Sequence, residues 1–526
     1  WHNHPLLKTQ TFTHCTLHTS YRITKPMADF VNIGLLDNKR LHAVKSGPPV
    51  HYMRREHPIV SRYIAAQITE LIETGAKFAD IYILCASLKA AIARDVENIL
   101  VDKNIPCYLS TQESQEQLDN RIIHNKVVFS TFHCVKGRQR KHVFVLGFDE
   151  TYFRYYARKL SPDECPNTLY VACTRGLERL YVFEKCGRDT DAPLPFLKLS
   201  HSAMAKPTTE FVKFLGNTAG LRPAEHKQKA IEQSKQTRKQ NITVSDILRF
   251  LSESVLDTIS PVIDKIFVKI DTHTMKPYED QAEEYIYEEI EIPGVKETRT
   301  GHYEDVSDIN GIVMPMLFYD ALEDNRQRGL LQHLVRMAMT SIPLDKHKYL
   351  HNMVDTMPEK CETIEEYLFV ANLCIAVQER LYSKLKQLRE DEYDWLTPEM
   401  VSACVAQFER VVGPFCHTEE WQAEYTIVTQ NRDEDHFYID KFVQNALQSD
   451  AVVYRIGARA DLMTTNTLWE MKCTTNLTIE HKMQLVWYMW LWYMQMPSKE
   501  RMTKQYKTGY LFNVKTGELL QLQASM

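Results

Sequence analysis

The sequence predicts two successive α/β domains, and three observations carry that expectation. Short β-branched runs alternate with helical patterns from Leu17 to about residue 185. Far downstream, an apolar run closing on Asp461 is followed by the turn signal Thr465-Asn466 and a second apolar run carrying Glu470-Met471-Lys472. A strongly apolar window at 483–496, without a charged residue, comes next and holds Gln484 and Tyr488. Strand–helix alternation of the first kind argues for a parallel α/β sheet.

Bulk properties bound the rest. A chain of 526 residues is expected to hold two to four domains. Its net charge of −5 means that any nucleic-acid contact must come from local basic patches. The 12 cysteines are scattered, with no Cys-x-x-Cys, and the N-terminus lacks a secretory pattern. Reduced thiols in a soluble intracellular protein are the expectation. The window at 483–496 is too short to span a bilayer, so it reads as a buried helix, and no membrane partner is expected. Because the chain opens on Trp1 rather than Met, a fragment or processed product is expected.

In chain order, 81–85 (IYILC) reads as a strand, 88–101 as a helix, 105–109 as a strand, and 127–132 and 143–148 as further strands. A segment opening at 170–174 ends in a strand at 180–183. Residues 130–137 (STFHCVKG) join a strand to a small-residue turn with hydroxyl, imidazole and ammonium groups at its edge. Such strand-end turns suit phosphate contacts at the carboxyl edge of an α/β sheet. Residues 167–175 (NTLYVACTR) place Arg175 on a helix otherwise built for packing, where a lone arginine reads as a structural or solvated group.

Taken together, these segments resemble the second motor domain of superfamily 1 helicases of the UvrD/Rep type. Thr19-Ser20-Tyr21-Arg22 looks like motif IV, and 80–84 (DIYIL) like the strand after it. Residues 131–137 (TFHCVKG) look like motif V, and 169–175 (LYVACTR) like motif VI. The resemblance covers roughly residues 15 to 185 and implies a RecA-like half-domain. It implies that Arg22 and Arg175 reach the γ-phosphate of ATP, where arginines stabilise transition-state charge. Thr131 and His133 would line the single-strand track or couple it to the nucleotide, and Gln139 stands where the family usually has a glutamate near the ribose. No G-x-x-x-x-G-K-[ST] loop occurs. The acidic pair Asp149-Glu150 after strand 143–148 imitates a Walker B strand, but follows motif V and is read as a decoy. The resemblance therefore implies half a motor, which uses ATP only with a first RecA-like domain supplied in cis or in trans.

Residues 191–240 read as a linker, punctuated by proline at its start and net basic over 225–241. Residues 243–252 begin a helix that a serine or threonine can cap. Residues 241–360 are expected to be an N-terminal part or insertion of the next domain. Within them, 279–291 is strongly acidic and reads as a solvated hairpin, and 307–315 (SDINGIVMP) as a turn feeding a buried strand.

The core of the second domain is expected at 361–526. A long amphipathic helix reads over 364–388, and a strand from Trp421 carries Glu424. Asp461 and Glu470 are then expected to face each other across a hairpin, with Glu470 and Lys472 on one face of their strand. Two carboxylates and an ammonium converging on one point suit a divalent-metal phosphodiesterase. Gln484 and Tyr488, four residues apart, share a helical face.

This stretch resembles the RecB-like branch of the PD-(D/E)XK nucleases, with Gly457 to Asp461, Glu470-Met471-Lys472 and Gln484-Leu485-Val486-Trp487-Tyr488 in the family's order. The resemblance implies a restriction-endonuclease-like α/β fold with Asp461 and Glu470 binding Mg²⁺ or Mn²⁺, the Met471 carbonyl completing the shell. It implies that Lys472 orients water or neutralises the transition state, and that Gln484 and Tyr488 contact substrate or position Lys472. Glu424 is the candidate for an extra upstream carboxylate, against an ordinary exposed strand glutamate. Arg455 and Arg459 read equally as phosphate contacts or structural ion pairs. The iron–sulfur cluster of some relatives is not expected, since no cysteine follows Cys473. The whole reads as a DNA nuclease fused to half a helicase, as in replication, recombination or repair; the alternative is a helicase fragment with an inactive DNA-binding module.

Overall fold

The computed structural model describes residues 19–109, 120–132, 134–135, 137–148, 160–161, 163–185, 194, 196–216, 238–249, 251, 253–270, 289–322, 329–428, 452–494 and 506–523. The chain is α/β and divides into two compact units, one formed by Trp1–Thr111 with Asn125–Pro223, the other by Gln112–His124 with Ala224–Met526.

The first unit contains strands β1 (Thr19–Thr24), β2 (His42–Lys45), β3 (Val50–Arg55), β4 (Ile81–Cys85), β5 (Cys107–Leu109), β6 (Val127–Thr131), β7 (Arg140–Leu146), β8 (Gly176–Lys185) and β9 (Val212–Gly216). Seven of them form a sheet in the order β5-β6-β4-β7-β8-β3-β9, with every pairing parallel. Parallel sheets are covered on both faces, so their strands are continuous apolar runs, and β4 and β6 are buried at every position. That is why 81–85 and 127–132 stand out in the sequence. β1 and β2 pair separately.

β3 and β9 were not expected, and β9 falls inside the range read as a linker. For β3 the reason is a buried polar network. Arg54 Nε donates to Glu184 Oε1 at 3.0 Å, Tyr52 OH donates to Glu184 Oε2 at 2.5 Å, and His201 Nε2 lies 2.6 Å from the same oxygen. Arg54 and Glu184 are 1% and 2% exposed. Charges that satisfy one another this way let a strand reading as polar pass through the core.

The second unit contains β10 (Arg238–Thr243), β11 (Phe267–Ile270), β12 (Val295–Glu297), β13 (Tyr303–Asp305), β14 (Trp421–Val428), β15 (Val452–Thr464), β16 (Thr467–Lys472), β17 (Thr508–Asn513) and β18 (Leu519–Leu522). Its main sheet runs β10-β15-β16-β17-β18-β11, with β14 also on β15. The hairpin β15–β16 turns at Thr465-Asn466, as the sequence indicates. The helix Ile479–Met494 links β16 to its parallel neighbour β17 and buries Met483, Leu485, Tyr488, Leu491 and Trp492. No helix among the described residues is long and apolar enough to cross a membrane.

Several boundaries differ from expectation. β10 begins at Arg238 and joins the same sheet as residues up to 522, so the range 191–240 holds strands of both units, and 241–360 and 361–526 share one sheet. Residues 307–315 are not a turn and a strand but the first part of the helix Ser307–Ala321. It buries residues all round its axis, from Ile309 to Tyr319, so its apolar run carries no helical stripe to distinguish it from a strand. The helix over 364–388 is two, Ile364–Glu379 and Ser383–Gln387, because Arg380 adopts φ +57° and ends the first. The acidic pair Asp149-Glu150, the basic stretch up to residue 237 and the acidic stretch up to residue 288 lie outside the described residues.

Candidate active site

Three neighbouring strands bring three carboxylates to one level. In the hairpin, Leu462 pairs with Trp469 and Met463 with Leu468, and continuing that register sets Asp461 opposite Glu470. There the ladder opens, and Asp461 Oδ2 accepts a hydrogen bond from the Met471 N–H at 2.6 Å. On the other flank of β15, Ala423 pairs with Leu462 and Tyr425 with Ala460, which sets Glu424 opposite Asp461. Glu424 adopts φ +51°, a left-handed backbone that costs a non-glycine residue about 1–2 kcal/mol.

One hydrogen-bonded chain links the other residues. Lys472 Nζ lies 2.5 Å from Glu470 Oε1 and donates to Gln484 Oε1 at 3.3 Å, and Gln484 Nε2 donates to Tyr488 OH at 2.6 Å. Two-residue spacing on β16 puts Glu470 and Lys472 on one face, and four-residue spacing on the helix stacks Gln484 and Tyr488 towards it. All five residues expected at the catalytic centre therefore meet.

Burial sets the electrostatics. It pushes the Glu470 carboxyl up to about 8, with the Asp461 charge adding to the shift and Lys472 opposing it. Burial likewise raises Glu424 to about 7 against the pull of Arg459, and raises Asp461 against that of Lys472. For Lys472, burial alone would lower the ammonium, but Glu470 and Asp461 outweigh it and hold it charged. Carboxyls raised by burial, with one another's charge adding at Glu470 and Glu424, are a recurring mark of functional centres.

A cation fits this chemistry. Glu470 is 1% exposed, and its Oε2 is buried without a hydrogen-bond partner. A buried acceptor left open in this way costs about 1–3 kcal/mol unless something else satisfies it. Among the described residues no three His, Cys, Asp or Glu side chains group into a metal cage. Asp461 and Glu470 as two carboxylate ligands match the habit of Mg²⁺, which keeps several waters. Glu424 is committed differently, with its Oε2 2.6 Å from Arg459 Nε. Of the two readings of Arg459, the structure shows the ion pair. The Arg455 side chain lies outside the described residues.

Two residues escaped the sequence reading. Tyr319, 1% exposed on the helix Ser307–Ala321, donates its hydroxyl to the Asp461 carbonyl at 2.8 Å and stacks on Trp421. It lies 142 residues from Asp461 in a segment without a catalytic motif, so no local signal marks it. His481 accepts from the Thr478 N–H at 3.1 Å, and burial with the nearby Lys472 charge lowers it to about 3. A neutral imidazole thus stands near the lysine without competing for its carboxylates; its place two residues into the helix was the available signal.

In the first unit, Gln139 directly precedes β7 and Arg175 directly precedes β8, so both lie at the amino edge of the sheet. The Arg140 N–H donates to the Arg175 carbonyl at 3.3 Å. Burial, and after it the positive charge of Arg22, lowers the Arg175 guanidinium. Arg175 thus lies within reach of the Arg22 charge. Thr131 ends β6 at the opposite, carboxyl edge, where its Oγ1 accepts from the Cys134 N–H at 3.2 Å. His133 lies outside the described residues.

No family model matches the chain, and no curated protein matches it. Among solved structures it is similar to the C-terminal domain of a possible DNA helicase from Lactobacillus plantarum WCFS1, at 15% identity and a TM-score of 0.26, over 38% of this chain and 99% of that one. A likeness at that TM-score carries no argument about function.

Proposed function

We propose that the second unit is a metal-dependent phosphodiesterase of the RecB-like PD-(D/E)XK type acting on DNA. The observation that carries this reading is the Glu470–Lys472–Gln484–Tyr488 chain ending on a buried, unpartnered Glu470 oxygen beside Asp461. Asp461 and Glu470 would hold the ion. A bound Mg²⁺ or Mn²⁺ would lower the pKa of an attacking water and neutralise charge on the phosphoryl oxygens. Lys472, fixed by Glu470 and Gln484, presents a charged donor to the developing negative charge. Gln484 orients Lys472 and is itself held by Tyr488. The Met471 N–H and the Tyr319 hydroxyl fix Asp461 at side chain and backbone.

Cleavage of single- and double-stranded DNA by the intact chain with Mg²⁺ or Mn²⁺ is the test. Asp461→Ala is expected to abolish it and Lys472→Ala to slow it by about 10²–10³-fold. Unchanged cleavage by either variant overturns the site, and metal-independent DNA binding without cleavage identifies an inactive binding module instead.

The first unit fits the second RecA-like half of a superfamily 1 motor, with Arg22, Gln139 and Arg175 facing ATP and Thr131 and His133 facing the DNA strand. The support is the seven-stranded parallel sheet and the placing of Arg175 within reach of the Arg22 charge. ATP hydrolysis then requires a first RecA-like domain as partner. DNA-stimulated ATPase on adding such a domain, lost in Arg175→Ala, is the expected result.

A further inference from the structure

Beside the carboxylates lies a cavity of about 750 Å³ that the chemistry above leaves unused. One wall is the helix Leu330–Met339, which presents Leu334 and Met337 one turn apart. The opposite wall is β14, where Gln422 and Thr426 alternate with buried Ala423 and Ile427 and face outward. The Glu424–Arg459 ion pair also lines the cavity. The cavity shares Glu424 with the carboxylate cluster, and Glu424 stands opposite Asp461 on the neighbouring strand.

The lining selects a ligand class. A volume of this size is that of a small-ligand site and accommodates one or two nucleotides. Met337 is 56% exposed although apolar, which leaves a flat, polarisable surface for a π-face. The amide of Gln422 and hydroxyl of Thr426 across the gap offer donors and acceptors to a ring edge. Arg459, with 44% of its side chain exposed, uses Nε on Glu424, and a guanidinium carries four further N–H donors that suit phosphate. A duplex hides its bases from such a slot; an unpaired strand does not.

We infer that this cavity is a subsite for an unpaired base of the substrate strand, next to the phosphate presented to Asp461 and Glu470. The inference rests on the phosphodiesterase reading for its substrate, and its test is a binding measurement that does not require turnover.

A labelled single-stranded DNA oligonucleotide is titrated with the intact chain in Ca²⁺, and one abasic site is then walked along the strand. Loss of a base packed on Met337 is expected to weaken binding by about 3- to 10-fold at one or two adjacent positions and to leave the others unchanged. Met337→Glu lies at an exposed position, so the fold is retained, as an unchanged melting temperature checks. This variant is expected to bind the unmodified strand about 10-fold more weakly and to lose the positional pattern. Equal affinity at every abasic position overturns the subsite, as does wild-type binding by Met337→Glu. So does conversion of a self-associated chain to a monomer by that variant, which would make the groove an interface between copies. Cleavage in Mg²⁺ reports separately: a chain that shows the pattern but cuts nothing keeps the subsite and loses the phosphodiesterase, and the reverse result loses only the subsite.

Discussion

The Met471 N–H donates to Asp461 Oδ2 at 2.6 Å, at the point where the β15–β16 ladder opens. A ladder bond has been exchanged for a bond to a carboxylate, which fixes one Asp461 oxygen and leaves the other to act. Asp461→Asn keeps the shape but weakens both roles. Its Mg²⁺ requirement is expected to rise by about 100-fold or more, beyond the roughly 10–100-fold seen on losing a group that only supports a metal ligand, and metal titration of cleavage checks it.

Lys472 tests transition-state stabilisation. Replacing it by methionine removes one preorganised donor, and kcat is expected to fall by about 10²–10³ while substrate binding in Ca²⁺ changes little. A fall in binding alone would assign Lys472 to the ground state.

The raised carboxyls predict a pH-dependent stability. Glu470 titrates near 8 and Glu424 near 7 in the folded chain, against 4.5 for an ordinary glutamate. Groups raised this way keep protons that the unfolded chain has already lost, so their contribution is full below about pH 4.5 and is lost as pH climbs through 7 to 8. Urea unfolding in chelator should therefore show falling stability from pH 5 to 8, and Glu470→Gln should flatten the slope. Mg²⁺ should oppose the fall at the upper end, because a metal competes with protons for these oxygens.

At Glu424 strain and function are separable. Glycine accepts φ +51° freely but leaves Arg459 without its carboxylate, so Glu424→Gly is expected to lower cleavage with little net change in stability, the relieved strain offsetting the lost ion pair. Equal losses of stability and activity would make Glu424 a structural residue.

Glu184 is the counterpart in the first unit. Glu184→Ala removes the carboxylate that Arg54, Tyr52 and His201 share, and truncating one partner of a buried pair costs about 3–5 kcal/mol. Denaturation of the intact chain should show that loss in the first unit's transition.

What was legible in the sequence follows from what burial does to composition. Strands such as Ile81–Cys85, covered on both faces, are written in apolar residues and could be read directly. Val50–Arg55 could not, because Arg54 is buried through partners as distant as Glu184. The helix Ser307–Ala321 was hidden by being apolar all round. At the site, Asp461, Glu470, Lys472, Gln484 and Tyr488 were legible because strand and helix periodicities place them locally. Glu424 was visible as a residue but not as a partner of Arg459, and Tyr319 was invisible, since both depend on long-range packing.

That contrast has a consequence for the order of assembly. Lys472 and Gln484 are 12 residues apart, whereas Tyr319 and Asp461 are 142 apart. Closing the longer loop costs about 2 kcal/mol more chain entropy. The Glu470–Lys472–Gln484 chain can therefore form early, on a hairpin and its following helix, before Tyr319 clamps the Asp461 backbone. By loop entropy alone, the centre is expected to gather first as a local unit, with the distant helix docking on Asp461 afterwards.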